Sequence, residues 1–234
     1  MRLPFTLLLA FAALALPAQH LTYAEWLSRA QVDMRLEPRY GYKPKNEAQR
    51  ASDAEFVRLM LEQEPDRRKA SGQLLLHGFD LLRQGEMPYA MFRFNQAWLL
   101  DSTNADAYWG FGTFFMELDK PSIAHQQYRQ GLRLDSANVH LLTADAAASL
   151  YERGSTVLAD PALAERHVQA ALQQLLRAQA LAPADPGVLY RLAVCRMLRG
   201  ECDEAWRCYD ACRIDPDAPI EAGFEEQLRA ACPR

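Results

Sequence analysis

Seven residues, Trp98 to Asn104 (WLLDSTN), return as Leu132 to Asn138 (LRLDSAN) after 34 positions. Further back along the two copies, Phe94 falls on Tyr128, Ala90 on Ala124 and Gly78 on Gly112. A third copy surrounds ALQQLLRAQALAPAD, with Ala171, Leu175, Ala178 and Pro183. A fourth runs through Ala193, Ala205, Tyr209 and Cys212 and reaches Pro216 one residue early. A fixed period of this length constrains the fold more than any composition does. A unit this small cannot bury its own apolar face, so neighbours must stack into a continuous core.

The recurring residues have a physical reading. Two helices approach closely only where the side chains between them are small. Gly78, Gly112, Ala146 and Ala193 supply that on the first helix of each unit, and Ala90, Ala124, Ala171 and Ala205 on the second. Phe94, Tyr128, Leu175 and Tyr209 are then expected to fill the space between pairs. Asp101-Ser102 and Asp135-Ser136 mark turns, where short polar side chains bond to the local backbone.

The stretch DAYWGFGTFF (Asp106 to Phe115) raises the question of a cofactor loop at Gly110-Phe111-Gly112. No third glycine completes a dinucleotide fingerprint and no strand precedes it. Gly112 falls at the small position of the second unit, so the stretch reads as helix packing. Glycine costs roughly 1 kcal/mol against alanine inside a helix, which close packing must offset.

The period and its small–small–aromatic–small landmarks resemble the tetratricopeptide repeat (TPR) family over roughly residues 71–218. That resemblance implies an all-α fold: a right-handed TPR-like helical solenoid of antiparallel helix pairs with capping helices. It implies units at 71–104, 105–138, 139–185 (with an insertion) and 186–218, and a capping helix over 219–234. In the family the first helices line a concave, partner-binding face. On this chain the facing positions give Phe79 and Arg83, then Trp109, Met116 and Glu117, then His140, Thr143 and Tyr151, then Tyr190, Val194 and Met197. The face is apolar and aromatic, a composition suited to a peptide or helix. The lysines and asparagines by which one subtype grips acidic peptide termini are missing at positions five and nine. Those positions hold Leu75 and Phe79, Trp109 and Thr113, Thr143 and Ala147, and Tyr190 and Val194.

Two regions depart from the repeat. In the third unit about thirteen extra residues precede Ala171. ERGSTVLADP predicts a loop there, with Gly154 as a C-cap and Asp160-Pro161 opening the next helix. Residues 19–70 precede the repeats and are read as a helical cap or arm. TYAE (Thr22 to Glu25) and SDAE (Ser52 to Glu55) are capping-box patterns. EPRYGYKPKN, between them, predicts an extended or turning link. An end cover for the solenoid is the leading role for this arm, and an arm folded into the protein's own groove is the alternative.

The first residues, MRLPFTLLLAFAALALPAQH, match a secretory signal peptide over 1–18: Arg2, an apolar run from Leu3 to Leu16, then small residues with cleavage after Ala18. The expected mature protein is exported, periplasmic or secreted, without stable membrane insertion. Its 26 Lys and Arg against 30 Asp and Glu exclude a nucleic-acid partner on charge grounds. All five cysteines, Cys195, Cys202, Cys208, Cys212 and Cys232, lie in the last forty residues at spacings that match no zinc or haem pattern. Cys202 or Cys208 with Cys232 are the disulfide candidates, and the connectivity stays open. The histidines are scattered, and no nucleophile elbow, phosphate loop or metal motif is present. The functional expectation is a non-catalytic protein-binding module without cofactors, its partner a protein or peptide, with homo-oligomerisation open. The alternatives are a self-assembling scaffold with a filled groove, or a thiol–disulfide protein using the cysteine-rich end.

Overall fold

A computed structural model describes residues 21–234; the signal-peptide reading lies outside the described residues. Among the described residues every regular element is a helix. Four antiparallel pairs follow one another: α3 (Arg67–Arg83) with α4 (Met87–Leu100), α5 (Asp106–Glu117) with α6 (Pro121–Leu134), α7 (Val139–Thr156) with α8 (Pro161–Leu181), and α9 (Pro186–Leu198) with α10 (Cys202–Cys212). Before them come α1 (Tyr23–Val32) and α2 (Glu47–Gln63); after them comes α11 (Phe224–Ala231). Each pair packs on itself and on the next, as stacking units must.

The landmark residues perform the roles that sterics assigns them. Phe94 is fully buried, and a methyl group built on Gly78 or on Gly110 would lie 2.4 or 2.5 Å from its ring. Phe94 therefore wedges between α3 of its own unit and α5 of the next. Tyr128 lies on Gly112 in the same way, at 2.0 Å from such a methyl group. Ala90, Ala124, Ala146, Ala171, Ala193 and Ala205 are all completely buried. The turns use local side-chain bonds: Asp101, Asp135 and Asp215 each accept the backbone N–H two residues on, at 2.9, 3.0 and 2.9 Å. The apolar core falls into three clusters along the stack. The seam between the first two runs through α7, whose Leu141 and Ala148 belong to one and Leu142 and Ala146 to the next.

The third unit corrects the predicted loop insertion. The extra residues lengthen both helices of the pair, leaving only residues 157–160 between α7 and α8. Gly154 is not a C-cap: α7 continues to Thr156, and nothing lies within 4 Å of where a methyl group on Gly154 would point. Leu, Ala and Gln dominate α8, and no proline or left-handed residue interrupts α7, so helix propensity carries both onward. Asp160 does cap α8, accepting from Leu163 N at 2.8 Å, with Pro161 in the first turn.

The N-terminal arm is partly as read. Thr22 and Glu25 form the capping box of α1. SDAE does not open a helix; α2 begins five residues earlier, where Asn46 and Gln49 form their own capping box. Glu47, Ala48 and Gln49 are ready helix formers, and Asp53 pairs with Lys45 at 2.5 Å instead of capping. The link folds as a left-handed turn: Arg39, Tyr40, Gly41 and Tyr42 have φ of 55, 57, 63 and 54°. For the three non-glycine residues this conformation costs roughly 1–2 kcal/mol each. Asn95 of α4, fully buried, offsets it. Its amide donates to Arg35 O and Glu37 O at 2.8 and 2.9 Å, and its carbonyl accepts from Arg39 N at 2.6 Å.

The same turn reaches across three helices. The Arg39 side chain bonds to Gln130 of α6 and lies over Tyr108 of α5. Trp26 packs edge-on against Phe114 and Phe115 of α5 and donates to Leu36 O at 3.0 Å. Tyr108, Phe114 and Phe115 lie on the side of α5 opposite Trp109, Thr113 and Met116, by helical period. The described arm thus docks behind the first helices, not in the groove they line.

At the other end, Phe224 of α11 packs edge-on against Tyr190 of α9, with ring centroids 5.0 Å apart. A Cys202–Cys232 disulfide ties the tail to α10, and Trp206 donates to Cys232 O at 2.8 Å. Cys208 is therefore no disulfide partner: it is a half-buried free thiol one and a half turns further along α10, packed between the second and third apolar clusters.

Candidate functional site

The first helices α3, α5, α7 and α9 present one row of side chains, and its centre is an aromatic ladder. Phe79 of α3 lies 4.2 Å, centroid to centroid, from Trp109 of α5. Trp109 in turn stacks on His140 of α7 at 4.5 Å with an interplanar angle of 21°. Three residues from three successive units therefore touch in series. They are 30 and 31 residues apart, so each sits about one helical turn earlier in its unit than the one before.

Two cavities flank this ladder and a third adjoins the second. The first, about 460 Å³ between α3 and α5, is lined by Leu76, Phe79, Leu82, Arg83, Met87 and Trp109. The second, about 350 Å³ between α5 and α7, shares Trp109 and Thr113 with it and adds Met116, His140, Thr143 and Ala147. The third, about 400 Å³, shares Ala147 and Arg191 with the second and adds Tyr151, Tyr190, Val194 and Met197. The eight residues singled out from the sequence are distributed over these cavities: Phe79, Arg83 and Trp109 in the first, Trp109, Met116 and His140 in the second, and Tyr151, Tyr190 and Met197 in the third.

They do not contribute alike. Trp109 and Met116 are half-buried walls. Arg83 is an exposed rim residue paired with Asp80. Tyr151 is half exposed and donates to Asp119 at 2.8 Å. Tyr190 is only 5% exposed because α11 covers it, so it is floor rather than open wall. Thr143 carries a buried hydroxyl with no partner.

The polar groups of the groove are held in known states. His140 Nδ1 lies 3.4 Å from Asp106 Oδ1, and this bond raises the imidazole above its ordinary pKa against a smaller effect of burial. For Asp106, burial pushes the carboxyl up, but bonds from His140 and Asn138 outweigh it and hold the group low. A protonated His140 places its charge over the Trp109 face, a cation–π contact. Arg191 donates to Gly187 O at 3.0 Å, and burial lowers its pKa.

The free thiols are poor nucleophiles. Burial pushes Cys195 up to about 12 and raises Cys208 and Cys212 as well. A reactive cysteine needs the opposite, an electropositive and accessible setting. No cluster of three or more His, Cys, Asp or Glu among the described residues is arranged to hold a metal ion.

One buried network escaped the sequence reading. His125 of α6 meets Asp145 of α7 through Nδ1 at 2.5 Å and Glu152 of α7 through Nε2 at 3.3 Å. His167 of α8 meets the same Glu152 oxygen at 3.3 Å, and Gln174 of α8 donates to Asp145 at 3.2 Å. The available signal was the stripe Leu141, Asp145, Ala148, Glu152, which has helical spacing and two carboxylates where a packed face would be apolar. The histidines themselves carry no such signal, because they come from two other helices.

A solenoid of helix pairs with small residues at the close contacts is the class that these observations define. Its architecture is that of tetratricopeptide-repeat proteins. The sequence matches no family model, and no curated protein matches it. Among solved structures it is similar to the Pseudomonas aeruginosa pilF protein, at 17% identity and TM-score 0.36 over 71% of this chain and 88% of that one. It is also similar to YrrB, described as a TPR protein with an unusual peptide-binding site, at 19% identity and TM-score 0.33 over 75% of this chain and 96% of that one.

Proposed function

We propose that this chain is an exported, non-catalytic interaction module that holds an apolar peptide or helix along the α3–α5–α7–α9 face. The observation that carries the reading is the Phe79–Trp109–His140 ladder bordering two adjoining cavities, with a third beside them, which offers anchor positions in series to one elongated ligand. The arm supports it, since none of residues 21–63 lines these cavities. Two features support export: the leader-like residues 1–18, and the Cys202–Cys232 disulfide, a bond that oxidising compartments preserve. No helix among the described residues is long and apolar enough to cross a membrane.

The test is affinity capture from envelope extract with residues 19–234 as bait. Wild type runs beside Trp109→Ala/His140→Ala, which strips the open ladder, and beside Tyr89→Ala, an exposed change on α4 that leaves the groove intact. A partner held by wild type and Tyr89→Ala and lost from the double variant is the expected result. Equal retention by all three baits overturns the groove reading.

A further inference from the structure

The contact between α6 and the long α7–α8 hairpin contains a buried cluster of titratable groups, and the proposed groove does not use it. His125 has both ring nitrogens directed at carboxylate oxygens, Nδ1 at Asp145 and Nε2 at Glu152. A neutral imidazole has one N–H and one lone pair. It can donate to only one of the two, and it turns its lone pair on the other. Only the imidazolium donates to both, so the geometry is that of a protonated histidine. The site is closed: the side chains of His125 and Asp145 are 10% and 9% exposed, those of His167 and Glu152 19% and 23%.

We propose that His125, Asp145, Glu152 and His167 form a proton-operated latch that clamps the α7–α8 hairpin onto α6. Protonated, His125 donates to both carboxylates of α7, and His167 of α8 meets the same Glu152 oxygen, so the cluster joins three helices. With His125 deprotonated, two carboxylates on one stripe of α7 face its neutral ring, inside a region where unbalanced charge is costly. The latch straddles the seam between the first two apolar clusters, where contact between units is interrupted by polar groups. Its release lets the α7–α8 pair shift against α5–α6, and α7 also carries His140 and Tyr151.

The charged surroundings support one direction of response. Burial lowers the affinity of His125 for its proton, but the Asp145 bond and the charges of Asp145 and Glu152 outweigh it, and the net shift is upward. From α5, Glu117 acts on Tyr128, and Asp119 of the following turn accepts from Tyr151. From α8, Gln174 adds a neutral donor to Asp145. A histidine with a raised folded pKa contributes stability that is complete below its unfolded value near 6.5 and lost as pH rises through the folded value. The latch is therefore closed in acid and open in base.

Glu152→Gln separates this device from ordinary packing. With an amide at 152, neutral His125 donates through Nδ1 to Asp145 and accepts at Nε2 from the new N–H, so protonation is no longer required. The experiment is amide exchange by mass spectrometry on the full mature chain from pH 5 to 8.5, with labelling times scaled for intrinsic exchange, beside NMR titration of the histidine rings. In wild type, protection in 139–181 should fall as the His125 ring titrates above 6.5, by up to about tenfold per pH unit across that window. Protection in 67–100 should stay flat. In Glu152→Gln the pH dependence in 139–181 should weaken, since only the Asp145 carboxylate then still favours the imidazolium. Titration of His125 at or below 6.5, a flat wild-type profile, or an unchanged slope in Glu152→Gln overturns the latch. Should Glu152→Gln fail to fold, His125→Gln, which keeps a neutral donor toward α7 and removes the titrating ring, must flatten the profile in 139–181 for the proposal to stand.

Discussion

Gly112→Ala is the sharpest test of the packing argument, because two effects pull in opposite directions. Alanine is the better helix former by about 1 kcal/mol, so substitution at an unconstrained helical glycine stabilises. At Gly112 the added methyl group would sit 2.0 Å from Tyr128 Cε1 and 2.5 and 2.6 Å from two further ring atoms. Ordinary contact begins at 3.4 Å. The Tyr128 ring is 1% exposed, so it cannot swing into solvent, and the helices must part instead. Overpacking of this kind costs about 1–3 kcal/mol, with the upper end expected where rigid ring atoms are the obstacle. The net expectation is a loss of about 1–2 kcal/mol.

Gly154→Ala is the matched control, since the same chemical change on α7 meets nothing within 4 Å and should gain about 0.5–1 kcal/mol. Urea unfolding followed by circular dichroism reads both. With a slope of about 2 kcal/mol per molar, the Gly112→Ala midpoint should fall by roughly 0.5–1 M while that of Gly154→Ala rises. In a double-mutant cycle, Tyr128→Leu should destabilise alone yet make Gly112→Ala close to neutral. Gly112→Ala at or above wild-type stability would refute the reasoning, and with it the assignment of DAYWGFGTFF to close helix packing.

Asn95→Leu removes three hydrogen bonds to the left-handed turn and should cost about 2–4 kcal/mol, seen as faster tryptic cleavage at Arg35 and Arg39 while α5–α10 stay resistant. Cys202→Ser with Cys232→Ser frees a segment closed over a separation of 30 residues, for which the chain-entropy model gives about 3.5 kcal/mol. Calorimetry should show a fall in Tm on the order of 10 °C, reproduced in wild type by reductant. The remaining thiols should react slowly: native Cys195 and Cys212, both buried, should resist iodoacetamide at pH 8 and label only after denaturation.

What the sequence made legible follows from what a period can encode. A 34-residue repeat specifies which residues meet between neighbouring units, so Phe94 and Tyr128 could be placed beside the small residues by register, whereas the Phe79–Trp109–His140 ladder slips about one turn per unit and could not. It does not encode where a unit lengthens. The third pair gained its residues as helix because nothing in 150–160 breaks one before Asp160-Pro161, and Gly154, read as punctuation, is merely tolerated. Nor does the period reach the arm, whose turn is imposed from outside: nothing in EPRYGYKPKN demands left-handed backbone at Arg39, Tyr40 and Tyr42, and the group that stabilises it, Asn95, stands more than fifty residues away. The His125 cluster failed for the same reason, with its members drawn from α6, α7 and α8. Yet α7 did announce it, since Asp145 and Glu152 interrupt a stripe that periodicity assigns to the interior. A charge on the buried face of a repeat helix marks the position where the local rule yields to a contact made by another unit.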